Sequence, residues 1–271
     1  MESSRILAVG DVVGPEAAKW LAGRLPQLRQ QHDANWVVVN AENSAVTGPS
    51  PMNGFGMTAD IVDMLIDAGV DVVTGGNHSW DGPDVDQVFA HPRVLRPWNL
   101  NETRGQGLIT VERAGSVLTV VNLLSPTAAL PGMLSPVPEP LWPAWQALER
   151  SGNLRGAVLI DLHGESPWEK ASFATAVDGK ITALVGTHTH DPTLRGHILP
   201  KGTGYVTELG MTGRLGFTGG GFDPVHFAHE FRNEGTSELP PYELATGRLT
   251  LGAVVLSVSA AGKTTHIERL S

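Results

Sequence analysis

The stretch Trp36-Val37-Val38-Val39-Asn40-Ala41-Glu42-Asn43 sets a short β-branched apolar run directly against a polar cluster. A run of that length and composition reads as a buried strand. The pattern recurs on both sides of it. Residues 6–9 precede Gly10-Asp11, and residues 70–73 precede Gly75-Gly76-Asn77-His78. Residues 158–162 contain Asp161 and run into His163, and residues 183–185 precede Gly186-Thr187-His188-Thr189-His190. Helical spacing fills the gaps. Residues 16–31 carry Ala17, Trp20, Leu21, Leu25 and Leu28 behind Pro15, and residues 58–68 carry Ile61, Met64 and Leu65 before Gly69. Residues 141–150 form a third helical pattern. Alternating strand and helix predicts an α/β architecture. In such sheets functional groups gather outside the carboxyl ends of strands, where these polar clusters stand.

The C-terminal quarter reads differently. Residues 213–221 are glycine-rich and predict a loop. Residues 249–258 predict one strand, and residues 263–269 a short final one. No linker or composition break divides residues 1–271, so the expectation is one domain.

The 271 residues are 41% hydrophobic and 17% charged, with a net charge of −9 and no Lys/Arg-rich run. A sizeable core is expected, and a nucleic-acid track is not. There are no cysteines, which excludes disulfides, thiolate metal sites and cysteine nucleophiles. The N-terminus lacks a basic region followed by a long apolar stretch, and no apolar run approaches the ~18–20 residues of a membrane span. A soluble, cytoplasmic protein is expected, with homo-oligomerisation left open.

The strand-end polar groups are Asp11, Asn40, Glu42, Asn43, Asn77, His78, Asp81, His163, Glu165, His188, His190 and Asp191. Carboxylates, amide oxygens and imidazoles together suit Mn, Fe or Zn. The inventory is large enough for two ions. With Asp11, Glu42 and one hydroxide as the anionic ligands, a divalent pair keeps about +1, which attracts phosphate. His188 and His190 would fall on opposite faces of a strand, so the backbone must turn there for both to bind.

These motifs resemble the calcineurin-like metallophosphoesterases. The match is closer to their YmdB-like bacterial branch, read in Gly10-Asp11-Val12-Val13-Gly14, Asn40-Ala41-Glu42-Asn43, Gly76-Asn77-His78-Ser79-Trp80-Asp81 and Arg96-Pro97-Trp98-Asn99. It continues in Asp161-Leu162-His163-Gly164-Glu165, residues 186–190, Ile198-Leu199-Pro200-Lys201-Gly202-Thr203 and Gly210-Met211-Thr212-Gly213. It covers nearly the whole chain. Val13 stands where the wider superfamily has His, and Glu42 where it has a bridging Asp. Both departures are shared with the branch, whereas residues 214–229 depart from it.

The resemblance implies a four-layer α-β-β-α sandwich and a dinuclear phosphodiesterase. Asp11, Glu42, Asn43 and His190 would hold the first metal. Glu42 would bridge to a second, held also by Asn77, His163 and His188. Iron or manganese is expected ahead of zinc. A metal-bridging hydroxide would attack, and His78 would protonate the leaving oxygen. The implied substrates are cyclic nucleotides, 2′,3′-cyclic ahead of 3′,5′-cyclic. A phosphomonoesterase or phosphoprotein phosphatase is the alternative within enzymes. A nucleotide-binding regulatory protein is the alternative outside them, though an intact His78 favours catalysis.

Other features are read as structural. Glu165 and Asp81 read as partners of ligands or surface groups, His226 and His229 as solvated loop histidines, and Glu16 and the tryptophans as cover for the core. Trp98 or the glycine-rich loop is a candidate surface for the base. Ala261-Gly262-Lys263-Thr264-Thr265 echoes a phosphate-binding loop, but Ser257 occupies the position of the required glycine.

Overall fold

Period-two alternation along the buried strands sorts the side chains into layers. The computed structural model describes residues 3–47, 54–128, 137–216, 220–232 and 243–270. The first half holds β1 (Ser4–Val9), α1 (Pro15–Gln31), β2 (Trp36–Asn40), α2 (Ala59–Asp67), β3 (Val72–Thr74) and α3 (Val85–Ala90). There follow β4 (Leu108–Arg113), β5 (Ser116–Leu124), α4 (Leu141–Arg150), β6 (Ala157–His163), α5 (Pro167–Ala176) and β7 (Ala183–Thr187). The chain continues through β8 (His197–Ile198), β9 (Gly204–Val206), β10 (Gly213–Arg214) and α6 (Val225–Arg232). It closes with β11 (Leu249–Thr250), β12 (Ala253–Val258) and β13 (Thr264–Leu270).

Two mixed sheets result, in the orders β13-β12-β1-β2-β3 and β4-β5-β6-β7-β9-β8. The central strands β1-β2-β3 and β5-β6-β7-β9 run parallel, and the antiparallel strands lie outside them. Leu7 and Val9 of β1, with Val37 and Val39 of β2, pack under α1 and α2. Their neighbours Ile6, Ala8, Trp36 and Val38 face Leu118, Val120, Leu159 and Val185 of the other sheet. Val158, Ile160, Leu162 and Leu184 turn outward onto Trp145 and Leu148 of α4 and Phe173 of α5. The order is therefore helix, sheet, sheet, helix, as expected. Each fully buried Val, Leu or Ile contributes about 1.5–3 kcal/mol to holding these layers together.

Local signals explain the helix ends. Pro15 occupies the first turn of α1, and the Thr58 hydroxyl caps α2 by accepting from the Ile61 amide at 3.4 Å. Among the described residues no helix is long and apolar enough to cross a membrane.

Several expectations are corrected. The strand expected over residues 249–258 breaks between Thr250 and Ala253. The chain changes partners there, from β10 to β1. Gly252 makes this close approach, since a Cβ on it would collide with the Gly210 backbone. Of the expected 213–221 loop, Gly213 and Arg214 form β10, and residues 217–219 lie outside the described residues. His226 and His229 stand on a helix, α6, rather than in a loop, and His226 is buried. Glu16 lies on the surface, paired with Arg214, and Trp168 is 84% exposed rather than core. The β4–β5 hairpin was not anticipated. Its two-residue turn, Ala114-Gly115, has φ of 47° and 77°, the geometry that right-twisted strands favour.

Candidate metal centre

The carboxyl ends of the parallel strands in both sheets converge on one cluster. Glu42 follows β2, Asn77 follows β3, His163 ends β6, and His188 follows β7. His163 Nε2 lies 3.1 Å from Glu42 Oε1, 2.8 Å from Asn77 Oδ1 and 3.1 Å from His188 Nδ1. Glu42, His163 and His188 each offer an atom to one point, all within 4.8 Å of one another. Gly76 makes room, because a Cβ there would collide with Glu42 Oε2 and the His163 ring.

A second group adjoins the first. His190 Nε2 lies 3.0 Å from Asn43 Oδ1 and 3.9 Å from Asp11 Oδ1. Asp11 Oδ2 accepts from the His188 amide at 3.1 Å. All seven residues expected to hold metal thus stand near one another, with Asp11 Oδ1 3.8 Å from His163 Nδ1 linking the two groups. The backbone turn required of His188-Thr189-His190 is present. His188 has φ 104° and His190 φ 64°, both in the left-handed region that non-glycine residues seldom enter.

The donor set fits cations. Asp11 Oδ1 and Glu42 Oε2 are buried without any hydrogen-bond partner. Orphaned buried carboxylate oxygens are costly unless a cation or donor meets them. Burial pushes the Glu42 carboxyl up from its usual range. Burial holds His163 down to about 3 and His188, with His163 beside it, down to about 2. Both imidazoles are therefore neutral, the form that binds metal.

An inner layer of groups aims these side chains, and sequence reasoning missed most of it. The Thr187 hydroxyl donates to Asp161 Oδ1 at 2.7 Å, so it accepts from His163 Nδ1 at 3.0 Å. That leaves His163 Nε2 as the lone-pair nitrogen facing Glu42. Asp161 also accepts from Asn40 at 3.0 Å and Thr74 at 2.5 Å, which ties the two sheets together below the cluster. Burial outweighs these hydrogen bonds and raises the Asp161 carboxyl to about 6. The buried Lys170 donates to the Thr187 carbonyl at 2.8 Å and to Glu208 Oε2 at 3.0 Å. Glu208 Oε2 in turn accepts from the Thr189 amide and hydroxyl, at 3.1 and 3.0 Å. The ion pair thus clamps the turn that carries His188 and His190. The Gly220 carbonyl accepts from His190 Nδ1 at 2.9 Å and aims its Nε2 inward.

His78 stands beside Glu42, whose carboxylate accepts a hydrogen bond from the His78 backbone amide. Its Nδ1 lies 2.6 Å from Asp81 Oδ2, and its ring packs 4.5 Å from that of Phe55. Asp81 is therefore a partner of His78, and Glu165 Oε2 reaches His188 Nε2 at 3.1 Å. Trp98 is partly buried and packs against the outer apolar layer that includes Trp145 and Leu148 of α4.

The motif order is that of a known family. A family model described as YmdB-like protein matches residues 7–270. The chain belongs to the YmdB-like family. A Bacillus subtilis (strain 168) relative named 2′,3′-cyclic-nucleotide 2′-phosphodiesterase is 34% identical over 98% of this chain and 96% of its own. The crystal structure of a phosphatase from Mycoplasma pneumoniae matches with a TM-score of 0.86 and 29% identity, over 100% of this chain and 93% of that one. The structure of a hypothetical protein from Thermus thermophilus matches with a TM-score of 0.78 and 30% identity, over 97% of each chain. In this YmdB-like chain the matched residues take in α6 as well as the metal-ligand cluster.

Proposed function

We propose that this YmdB-like protein, one domain over residues 1–271, is a dinuclear metal-dependent phosphodiesterase acting on cyclic nucleotides. The observation that carries the reading is the convergence of Glu42, His163 and His188 beside the orphaned oxygens of Asp11 and Glu42. Asp11, Glu42, Asn43 and His190 would hold one ion, and Glu42, Asn77, His163 and His188 the other, with iron or manganese preferred to zinc. Bound ions of this kind supply hydroxide at neutral pH and neutralise charge developing on phosphate oxygens. The chain itself supplies the rest. The Asp81 carboxylate holds His78 Nδ1, so His78 Nε2 is the atom left to give a proton to the leaving oxygen. Lys170, Glu208 and Thr187 hold the histidine ligands in orientation.

The name of the Bacillus subtilis relative supports a 2′,3′-cyclic substrate ahead of a 3′,5′-cyclic one. A strained five-membered ring also gains from opening. A compact monoanion suits a small positive centre in a chain of net charge −9. Protein purified without chelator should carry about two equivalents of metal. Metal-supplied protein should open 2′,3′-cyclic AMP faster than 3′,5′-cyclic AMP, and both faster than 5′-AMP or a phosphopeptide. The Mycoplasma pneumoniae neighbour, described as a phosphatase, favours the second reading. Faster turnover of 5′-AMP or the phosphopeptide would establish that reading instead.

A further inference from the structure

A cleft of about 660 Å³ opens from the metal-ligand turn, lined on one side by His188 and His190. The opposite wall is aromatic, formed by Phe222, Phe227 and Phe231, with Arg232 at the rim. Phe227 and Phe231 are four residues apart on α6 and share one helical face. Phe231 is 92% exposed and Phe227 41% exposed, an unusual investment of aromatic surface in water. A chain of rings connects this wall to the proton donor proposed above. His78 packs on Phe55 at 4.5 Å, Phe55 on Phe222 at 5.9 Å, and Phe222 on Phe227 at 6.3 Å.

We propose that this cleft is the nucleoside subsite, in which an aromatic base stacks on Phe227 and Phe231 while the phosphate sits at the metal ligands. The inference rests on the cyclic-nucleotide reading for the identity of its occupant. The occupant follows from continuity. A molecule whose phosphate reaches His188 and His190 has its next few ångströms inside the cleft, and the walls there are ring faces. Stacking accepts any base, since each has a π-face. The aromatic wall is separate from the metal ligands, so base preference would be set by α6 rather than by those ligands.

The test compares affinities on metal-loaded protein by titration calorimetry, with 3′-AMP and inorganic phosphate as probes. Wild-type protein should bind 3′-AMP more tightly than phosphate. In F227A/F231A the ratio of the two affinities should fall about 10- to 100-fold, the usual loss for removing base stacking. Phe231→Tyr, which keeps a stacking face, should retain most of the ratio. Equal affinities of wild type for the two probes, or an unchanged ratio in F227A/F231A, would overturn the subsite. Sedimentation of both proteins covers a rival occupant. A dimer lost in F227A/F231A, with the ratio unchanged, would give the face to a second copy of the chain. Failure of the cyclic-nucleotide reading is seen separately. Wild type that does not open 2′,3′-cyclic AMP, yet shows the 3′-AMP ratio and loses it in F227A/F231A, keeps the subsite and loses only the reaction.

Discussion

The two walls of the cleft are built on opposite principles. Behind the metal-ligand wall the supporting polar groups hold one another, while Asp11 Oδ1 and Glu42 Oε2 stay without partners. Asp161 meets Asn40, Thr74 and Thr187, and Lys170 meets Glu208 and a carbonyl, all out of contact with water. On the α6 wall the contact surface is ring carbon facing solvent. The first wall cannot change one residue without stranding another, because a buried donor or acceptor left alone costs about 1–3 kcal/mol. The second can be altered one ring at a time. A side chain on the first wall is fixed by its neighbours, whereas one on the second answers only to what it contacts in the cleft.

The comparison is tested most severely at Glu42. Glu42→Gln removes the charge that both proposed ions share, so metal content should fall below about one equivalent and turnover should disappear. Elemental analysis that still found the wild-type content would break the claim that this wall exists to hold cations. His78→Gln is expected to come next. Turnover should fall about 10²–10⁴-fold while metal content stays near normal. The loss should shrink for a p-nitrophenolate leaving group, which needs little protonation. Equal losses for good and poor leaving groups would make His78 a positioning residue.

Lys170→Met strands the Glu208 carboxylate, which is otherwise buried with its partner. Breaking such a pair costs about 3–5 kcal/mol, to be read from urea unfolding in chelator. The double variant K170M/E208Q should recover much of it. Thr187→Val strands Asp161 Oδ1 at a cost of about 1–3 kcal/mol, and should weaken metal binding about 10- to 100-fold, because His163 loses the group that fixes its tautomer. The smallest effect belongs to the exposed ion pair Glu16–Arg214. Arg214 holds the Glu16 carboxyl below its usual range, so what it contributes is present above the ordinary carboxylate pKa and lost on acidification. Glu16→Gln should leave the unfolding midpoint at neutral pH unchanged in moderate salt. A shift as large as that of Lys170→Met would erase the contrast between buried and exposed walls.

The metal-ligand wall was legible in the sequence because each ligand follows a buried strand, and strands of this type carry local signals. The need for a turn at His188-Thr189-His190 followed from strand periodicity alone. The groups that aim the ligands were not legible for the opposite reason. Lys170 and Glu208 are 38 residues apart, on a helix and a loop, and nothing local marks either as buried. Asp161 reads as a polar residue in an apolar run and as part of the motif that ends in Glu165, with no role of its own. The aromatic wall was hidden too. Phe222, Phe227 and Phe231 sit in a stretch with weak periodicity, and His226 and His229 within it suggested an irregular segment rather than α6. The fold was legible in its central parallel strands. The β4–β5 hairpin was missed because its turn, Ala114-Gly115, carries none of the Asn, Asp or His clusters that mark the other strand ends.

The left-handed backbone at His188 and His190 has one more consequence. A residue with a Cβ enters that region at a steric cost of about 1–2 kcal/mol, and glycine or asparagine enters with less. At these two positions the sequence best for folding is therefore not the sequence that the proposed metal site requires. His190→Gly should unfold at a higher urea concentration than wild type when both are free of metal, and should be the less stable of the two once metal is supplied. Selection for a durable fold alone would erode this turn. With histidine at both positions the chain is held in a conformation its own backbone disfavours.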